Sequence, residues 1–410
     1  MELTLDQFRC KAMKHPPASF NTKPTLPTSS YLCETPALPS SSPSPLITMP
    51  PLSDESHPHH TLRLHHPRHF DFESIREVPD SHAWPDLHDH PSVEPSGPDS
   101  VPVVDLDSPD AVLLVGRACQ EWGVFQVTGH GIPTDLLDRL ESQIRRLFSL
   151  PTHQKLKAAR SPGDIAGYGL APISSFFPKL MWSEGFTIAG SPFEHARKLL
   201  PKEYCAEFCN VIEEYNKVAK ELAGRLMHLM LLSLGLTEED ISWAGPIRDS
   251  GDLSAVIQLN SYPACPEPDR ALGLAAHTDS SLLTVLYQSG TSGLQVLRPD
   301  PARWVTVPPL PGVLIVHVGD LSHILSNGHF RSVLHRAIVN RRHHRLSAAY
   351  ICGPPAHVKV SPIDMLLGPS QGPAYRAVTW PEYLALKGKL FNKALASIKL
   401  SREQWEDRSN

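Results

Sequence analysis

The chain has no run of 18 or more apolar residues, no excess of basic charge and no orderly set of cysteines. The first absence argues against a transmembrane helix, which needs about 20 consecutive apolar residues to cross the hydrocarbon core. The second argues against a nucleic-acid partner: 38 Lys and Arg stand against 43 Asp and Glu, a formal net charge of -5, with no basic stripe. The third concerns redox setting. The seven cysteines (Cys10, Cys33, Cys119, Cys205, Cys209, Cys265 and Cys352) are odd in number and scattered, and no secretory apolar stretch opens the chain. That pattern fits a reducing cytoplasm better than a disulfide framework. Cys205 and Cys209 lie at i, i+4 on a predicted helix, but without a second pair they read as ordinary helix residues.

What is present divides the chain unevenly. Residues 1–98 are rich in Pro, Ser and His (PALPSSSPSP, SHPHH) with little apolar periodicity, and read as a largely disordered tail. Its histidines from His57 to His69, and His88 with His90, read as solvated groups rather than metal ligands. Glu2 and Asp6 weigh against a transit peptide. Residues 99–250 form a mainly helical region. VPVVDL predicts a strand, and Ser108-Pro109-Asp110 predicts a helix start that runs to about Trp122 and stops at Gly123. Thr134 caps a further predicted helix with Leu136, Leu140, Ile144 and Leu147 on one stripe. The longest predicted helix spans 203–234 and ends at Gly235, with Phe208, Ile212, Tyr215, Ala219, Leu222, Leu226 and Leu229 at helical spacing. Residues 251–354 change to short strands broken by Gly, Pro, Asp or Asn, the pattern of a sandwich, barrel or jelly roll. Residues 355–410 carry a closing helix predicted from Trp380 through Leu395.

The chemistry centres on LGLAAHTDSSLLTVLY, residues 272–287. In a strand, residues two apart point to one face, so His277 and Asp279 are expected side by side. Such groups are costly in an apolar sheet unless something compensates them, as a metal ion does. A third ligand has to come from another strand, and His335 in SVLHRAIVN is the candidate. His317 and His323, in VLIVHVGDLSHIL, compete and read as core groups or as support for the ligands. Ten residues past His335, Arg345 and Ser347 again share one strand face. A buried guanidinium needs an anion. Either a structural carboxylate or a ligand carboxylate held by the Arg345 fork and the Ser347 hydroxyl satisfies it. Two imidazoles and one carboxylate leave several coordination positions open, which suits Fe(II) and oxygen chemistry, whereas zinc takes a closed tetrahedral site or one open position.

These residues and their surroundings resemble the plant 2-oxoglutarate- and Fe(II)-dependent dioxygenases over roughly residues 101–395. The motifs are NSYPACPEPDR, GLAAHTDSSLLTVLYQ, GLQVL, HVGDLSHILSNG, SVLHRAIVN and RLSAAYICGPP, preceded by EWGVFQVTGHGIP. The resemblance implies an α+β fold, a double-stranded β-helix (jelly-roll) core flanked by helices. It implies that His277, Asp279 and His335 bind iron, and that Arg345 and Ser347 hold the distal carboxylate of 2-oxoglutarate. Arg345 counts as catalytic in that role. Tyr262 would support the co-substrate through its hydroxyl, with Asn260 behind it; Ser261 stands where the family often has His. Ascorbate is the expected reductant. Three longer segments, SFFPKLMWSEGFTIAGSP, CPEPDRALGLAAHTDSSLLTVLYQ and FNKAL, resemble the gibberellin 3-beta-hydroxylating members. They imply a gibberellin and oxygen as substrates. A monomer is expected, and the cysteine pattern points to the cytoplasm. Phe176, Phe177, Met181 and Trp182 are candidate walls of an apolar substrate pocket. The competing readings are another oxygenase of the family (a gibberellin 2- or 20-oxidase, or a flavonoid or other specialised-metabolite oxygenase) and a non-catalytic ligand-binding member. Those relatives begin near a Met-Pro like Met49-Pro50, and residues 1–48 have no counterpart among them.

Overall fold

From Ser254 onward the chain is a succession of short β-branched and aliphatic runs, and each run becomes a strand. The computed structural model describes residues 71–72, 74–85, 87, 100–161, 164–236, 254–368 and 372–401. The stretch before residue 71, together with His88 and His90, lies outside the described residues, so the tail reading there has no structural counterpart. The strands of the two main sheets, in chain order, are β1 (Val103–Asp105), β2 (Val124–Thr128), β3 (Gly167–Gly169), β4 (Glu184–Ala189), β5 (Ser254–Tyr262), β6 (Leu272–His277), β7 (Leu283–Gln288), β8 (Leu294–Pro299), β9 (Ala302–Thr306), β10 (Leu314–Val318), β11 (His335–Ile338) and β12 (Arg345–Gly353).

A large sheet has the order β1-β2-β10-β7-β12-β5-β4-β3, and a small sheet the order β6-β11-β8-β9. Apart from the parallel β1–β2 pair, the ladders in these two sheets are antiparallel. From β5 the chain alternates between the sheets, large then small, and only the β8–β9 hairpin stays on one side. That alternation makes the double-stranded β-helix. It also gives each central strand of the large sheet two different faces. Ile315, Leu286 and Ala349 meet Leu294, Val296 and Val305 of the small sheet. Val316, Val285 and Tyr350, one residue along, pack outward against helical residues such as Ile212, Tyr215 and Leu222. Burial on both faces is why these strands read as continuous apolar runs rather than as clean alternation.

The helices buttress the outer face of the large sheet. The expected stripes of the helices Thr134–Phe148 and Lys202–Ser233 are buried except for half-buried Leu229, and the long helix is stopped by Gly235, whose φ of 75° an L side chain rarely adopts. Three boundaries differ from the sequence reading. The first helix begins at Ala111, and the Ser108 hydroxyl accepts from the Asp110 N–H in the turn before it. Thr134 is the first residue of its helix, because extended Pro133 already occupies the cap position. The closing helix runs only from Trp380 to Leu390, since Phe391 adopts a positive φ and breaks it. Its start is well made: Thr379 and Glu382 form a reciprocal capping box. Among the described residues, no helix is long and apolar enough to cross a membrane.

One stretch assigned to the tail is packed. Phe72 and Val78 are buried against Trp182, Cys265, Ala271 and Val339. The Val78 N–H donates to the Glu267 carboxylate at 2.8 Å, and the Trp84 indole N–H to the Leu180 carbonyl at 2.9 Å. A few anchors spaced irregularly between turns carry no helix or strand period, so the sequence pattern concealed this packing.

Candidate active site

Antiparallel pairing of β6 with β11 sets His277 directly opposite His335. Their ring centroids lie 4.3 Å apart. Asp279 completes the group, with its Oδ1 at 3.8 Å from the His277 Nε2 and 3.7 Å from the His335 Nε2. One donor atom from each of the three residues lies within 4.8 Å of the others. The expected geometry needs one correction. β6 ends at His277, so Asp279 is not on a strand face but in the loop that follows. That loop is held from beneath: the Asp320 N–H donates to the Asp279 carbonyl at 2.7 Å, and the Gly319 N–H to the Leu282 carbonyl at 2.9 Å. A Cβ on Gly319 would stand 2.0 Å from the Ser281 carbonyl oxygen, so only glycine permits this close approach.

The electrostatics suit a cation. Burial, reinforced by the neighbouring His335, pulls the His277 imidazole down to about 3, and burial with His317 pulls His335 down to about 4. Burial pushes the Asp279 carboxyl upward, but the imidazoles of His335, His317 and His277 outweigh it and hold the group at about 2. The site is therefore two neutral imidazoles and a carboxylate. Their tautomers are set as well. The Nδ1 atoms of His277 and His335 lie 2.8 Å from the Ala275 carbonyl and 3.3 Å from the Val333 carbonyl. A carbonyl only accepts, so each Nδ1 carries the proton and each Nε2 presents a lone pair toward Asp279. Two such nitrogens and an anionic oxygen on one side of a point fit Fe(II) with open positions.

Arg345 and Ser347 lie on the inner face of β12, as their spacing predicts, paired with Tyr262 and Asn260 of β5. Arg345 is only 3% exposed. Its Nη2 donates to Gln288 at 2.9 Å, its guanidinium stands 5.0 Å from the centre of the Tyr262 ring, and its buried Nε has no partner. Among the described residues no carboxylate forms an ion pair with it, and burial lowers its pKa. A structural salt bridge, the rival explanation for this arginine, is therefore not what the described residues supply. The Tyr262 hydroxyl is in hydrogen-bonding reach of Ser347 and Arg345, and Asn260 donates to the Ser347 hydroxyl at 3.3 Å. Two glycines make room. A Cβ on Gly293 would come within 2.9 Å of the Arg345 side chain, and one on Gly273 within 2.7 Å of the Tyr262 ring.

The remaining candidates separate cleanly. His323 uses both nitrogens elsewhere, one on the Phe330 carbonyl and one on the Tyr375 hydroxyl. His317 stands beside the site, its ring 4.3 Å from that of His335, but it does not join the converging donor atoms. Cys205 and Cys209 are buried and free on the long helix; Cys119, Cys265 and Cys352, elsewhere in the fold, are buried and free too. Met181 and Trp182 are core residues at 1% and 0% exposure, Trp182 packing edge-on against Phe72 and His82, which removes both as free pocket walls. Phe176 and Phe177 are half-buried and meet Phe391, the first stacked at 4.8 Å and the second edge-on at 5.4 Å. Next to Phe391, Asn392 donates to the carbonyl of Ala276, adjacent to His277. A separate cavity of about 300 Å³ opens on the outer face of the large sheet, between Ile257 and Tyr350 and the long-helix residues Ile212, Asn216 and Lys220. None of the three converging residues lines it.

Sequence reasoning missed the group that ties this site to the closing helix. Asp320, fully buried, accepts from Thr278 at 3.0 Å, Ser332 at 2.7 Å and Tyr383 at 2.8 Å, and pairs with Lys387 at 2.9 Å. The one available signal was an acid directly after an apolar strand, in VHVGD.

Comparison with known proteins agrees with this architecture. Residues 253–354 match the family model of the 2OG-Fe(II) oxygenase superfamily, and residues 101–205 match that of the non-haem dioxygenase in morphine synthesis N-terminal region. The chain is 53% identical to gibberellin 3-beta-dioxygenase 1 of Pisum sativum, over 86% of this chain and 94% of that one. It is 52% identical to gibberellin 3-beta-dioxygenase 1 of Arabidopsis thaliana, over 84% and 97%. Among solved structures it is similar to JOX2 in complex with 2OG, Fe and JA, with a TM-score of 0.68, 29% identity, and coverage of 80% of this chain and 95% of that one. The rice dioxygenase for auxin oxidation matches with a TM-score of 0.60 and 26% identity, over 73% of this chain and 100% of that one. On the fold, the converging donor set and these relatives together, the chain belongs to the 2OG-Fe(II) oxygenase superfamily.

Proposed function

We propose that this protein is a 2-oxoglutarate-dependent Fe(II) dioxygenase that 3-beta-hydroxylates gibberellin precursors, with release of succinate and carbon dioxide. The single observation that carries the co-substrate assignment is Arg345: a buried guanidinium with no carboxylate partner among the described residues, on the inner face of the large sheet, whereas His277 and His335 belong to the small sheet. The gibberellin assignment rests on relatives of that name that share about half of its residues over most of both chains.

In this reading His277, Asp279 and His335 hold the iron. With 2-oxoglutarate and oxygen bound, the iron supplies the oxidising chemistry, in which one oxygen atom enters a C–H bond and the other ends in succinate. The chain's own part is placement. The Ala275 and Val333 carbonyls keep both imidazoles in the tautomer that offers Nε2. Asp320 keeps the Asp279 loop in position through its backbone N–H. Arg345 and Ser347 receive the far carboxylate of the co-substrate, and the Tyr262 hydroxyl, beside both, adds a third polar contact. Phe176, Phe177 and Phe391 offer an apolar surface of the kind a diterpenoid acid needs. Ascorbate as reductant, monomeric action and a cytoplasmic location belong to the same reading; the free, scattered cysteines support the last.

The test is product analysis by mass spectrometry. Purified full-length protein is supplied with Fe(II), 2-oxoglutarate, ascorbate and a panel of gibberellin precursors. The expected result is a 3-beta-hydroxylated product formed together with succinate. Products oxidised at another carbon would overturn the substrate assignment while leaving the dioxygenase class intact. Absence of substrate-dependent succinate across gibberellins and flavonoids would overturn both.

A further inference from the structure

His317 is a buried polar group between the sheets that the assignments above leave without a task. It sits on β10 opposite Thr284 of β7, two residues from Ile315, whose side chain packs between the two sheets. It is only 2% exposed, and neither of its ring nitrogens has a hydrogen-bond partner. A buried imidazole with both nitrogens unsatisfied is costly and rare in a purely structural role. Its position is specific. Its ring stands 4.3 Å from that of His335, and it is close enough to interact electrostatically with Asp279, His277 and Arg345. His317 is thus near both groups that a dicarboxylate bound between the metal residues and Arg345 would engage.

We propose that His317 donates a hydrogen bond to the keto-acid end of 2-oxoglutarate and so fixes the orientation in which the co-substrate meets the metal; this rests on the function proposed above. The neutral imidazole supplies one N–H donor, and the keto and carboxylate oxygens of the co-substrate are acceptors only. His317 is then a binding residue that iron itself does not need. Losing it weakens co-substrate binding and changes the electronic signature of the complex without displacing the metal.

The experiment uses full-length protein under anaerobic conditions. Fe(II) binding is measured first, then 2-oxoglutarate is titrated while the visible charge-transfer absorption of the iron–keto-acid complex is followed. His317→Phe keeps a ring against His335 but removes both nitrogens, His317→Leu removes the ring as well, and His317→Gln restores a donor. The expected result is Fe(II) affinity within about twofold of wild type in all three. The Phe and Leu variants should bind 2-oxoglutarate about tenfold more weakly with a shifted band, and the Gln variant should recover part of both. A Phe or Leu variant with wild-type affinity and an unshifted band would overturn the assignment. So would an equal loss in the Gln variant, which marks a packing role. If the wild-type protein itself gives no such band, the co-substrate reading falls first and this inference with it.

Discussion

Burial acts in opposite directions on the groups that converge at the inner face, and the outcome is a site that is ready for a cation and sensitive to acid. His277 is held at about 3 and His335 at about 4, against an ordinary value of 6.5, and His317 at about 4. In the metal-free protein the sign follows from linkage. As pH falls below 6.5 the unfolded chain binds protons that the folded chain refuses, so stability is present above about 6.5 and is lost progressively down to about 3. Asp279, held at about 2 against 3.8, adds its loss below 3.8. The urea midpoint of metal-stripped protein should therefore fall steadily between pH 7 and pH 5; a flat profile would contradict the buried neutral state of these rings. Arg345 makes the second prediction at this scale. Its fork is oriented by Gln288 and Tyr262 and given room by Gly293. Lysine offers a point charge without the planar pair of donors. Arg345→Lys should raise the KM for 2-oxoglutarate roughly tenfold or more, with the gibberellin KM changed far less. An unchanged 2-oxoglutarate KM would remove Arg345 from that contact.

At the scale of elements, the β6–β7 loop and the closing helix act as one piece because Asp320 joins them. Its carboxylate takes hydrogen bonds from Thr278, Ser332 and Tyr383 and the ion pair of Lys387, while its backbone N–H holds Asp279. Lys387 is itself mostly buried and also donates to the Thr278 carbonyl at 2.9 Å. Removing one partner of a buried pair leaves the other charge uncompensated, which costs about 3–5 kcal/mol. Asp320→Ala should therefore lower stability by about that amount and weaken Fe(II) binding although Asp320 is not one of the converging donors. Combining it with Lys387→Met should recover part of the stability in thermal melts. A double variant no more stable than Asp320→Ala would show that the buried charge is not the cause.

At the scale of the whole molecule, the candidate site draws on β5, β6, β7, β11 and β12, and the matched family segments begin at residue 101. The packed strap around Phe72, Val78 and Trp84 lies well after residue 48. Deleting residues 1–48 should thus leave kcat and the thermal midpoint close to those of the full chain. A folded but inactive truncation would show that the removed stretch contributes to the site. Deletion through residue 85 should behave differently, because it strips the cover from Trp182 and from the Glu267 carboxylate.

The local chemistry was legible in the order of residues. His277, Asp279 and His335, and Arg345 with Ser347, stand out because polar groups inside apolar strand-like runs demand an explanation, and strand periodicity says that Arg345 and Ser347 share a face; Tyr262 came from the family resemblance alone. The helical stripes and Gly235 were legible for the same reason: local energetics repeat along the chain. The tertiary structure alone decided the rest. It moved Asp279 off the strand and into a loop, and it assigned Met181 and Trp182 to the core. It folded the strap around Phe72 onto the body, and it gathered Thr278, Asp320, Ser332, Tyr383 and Lys387 into one network. It also separated His323, satisfied on both nitrogens, from His317, satisfied on neither, although only five residues lie between them and both lie in one apolar run. Periodicity reports what a residue does relative to its chain neighbours. The partners of a buried polar group come from strands and helices far away in sequence, and only their packing determines whether that group is paired or left facing a ligand.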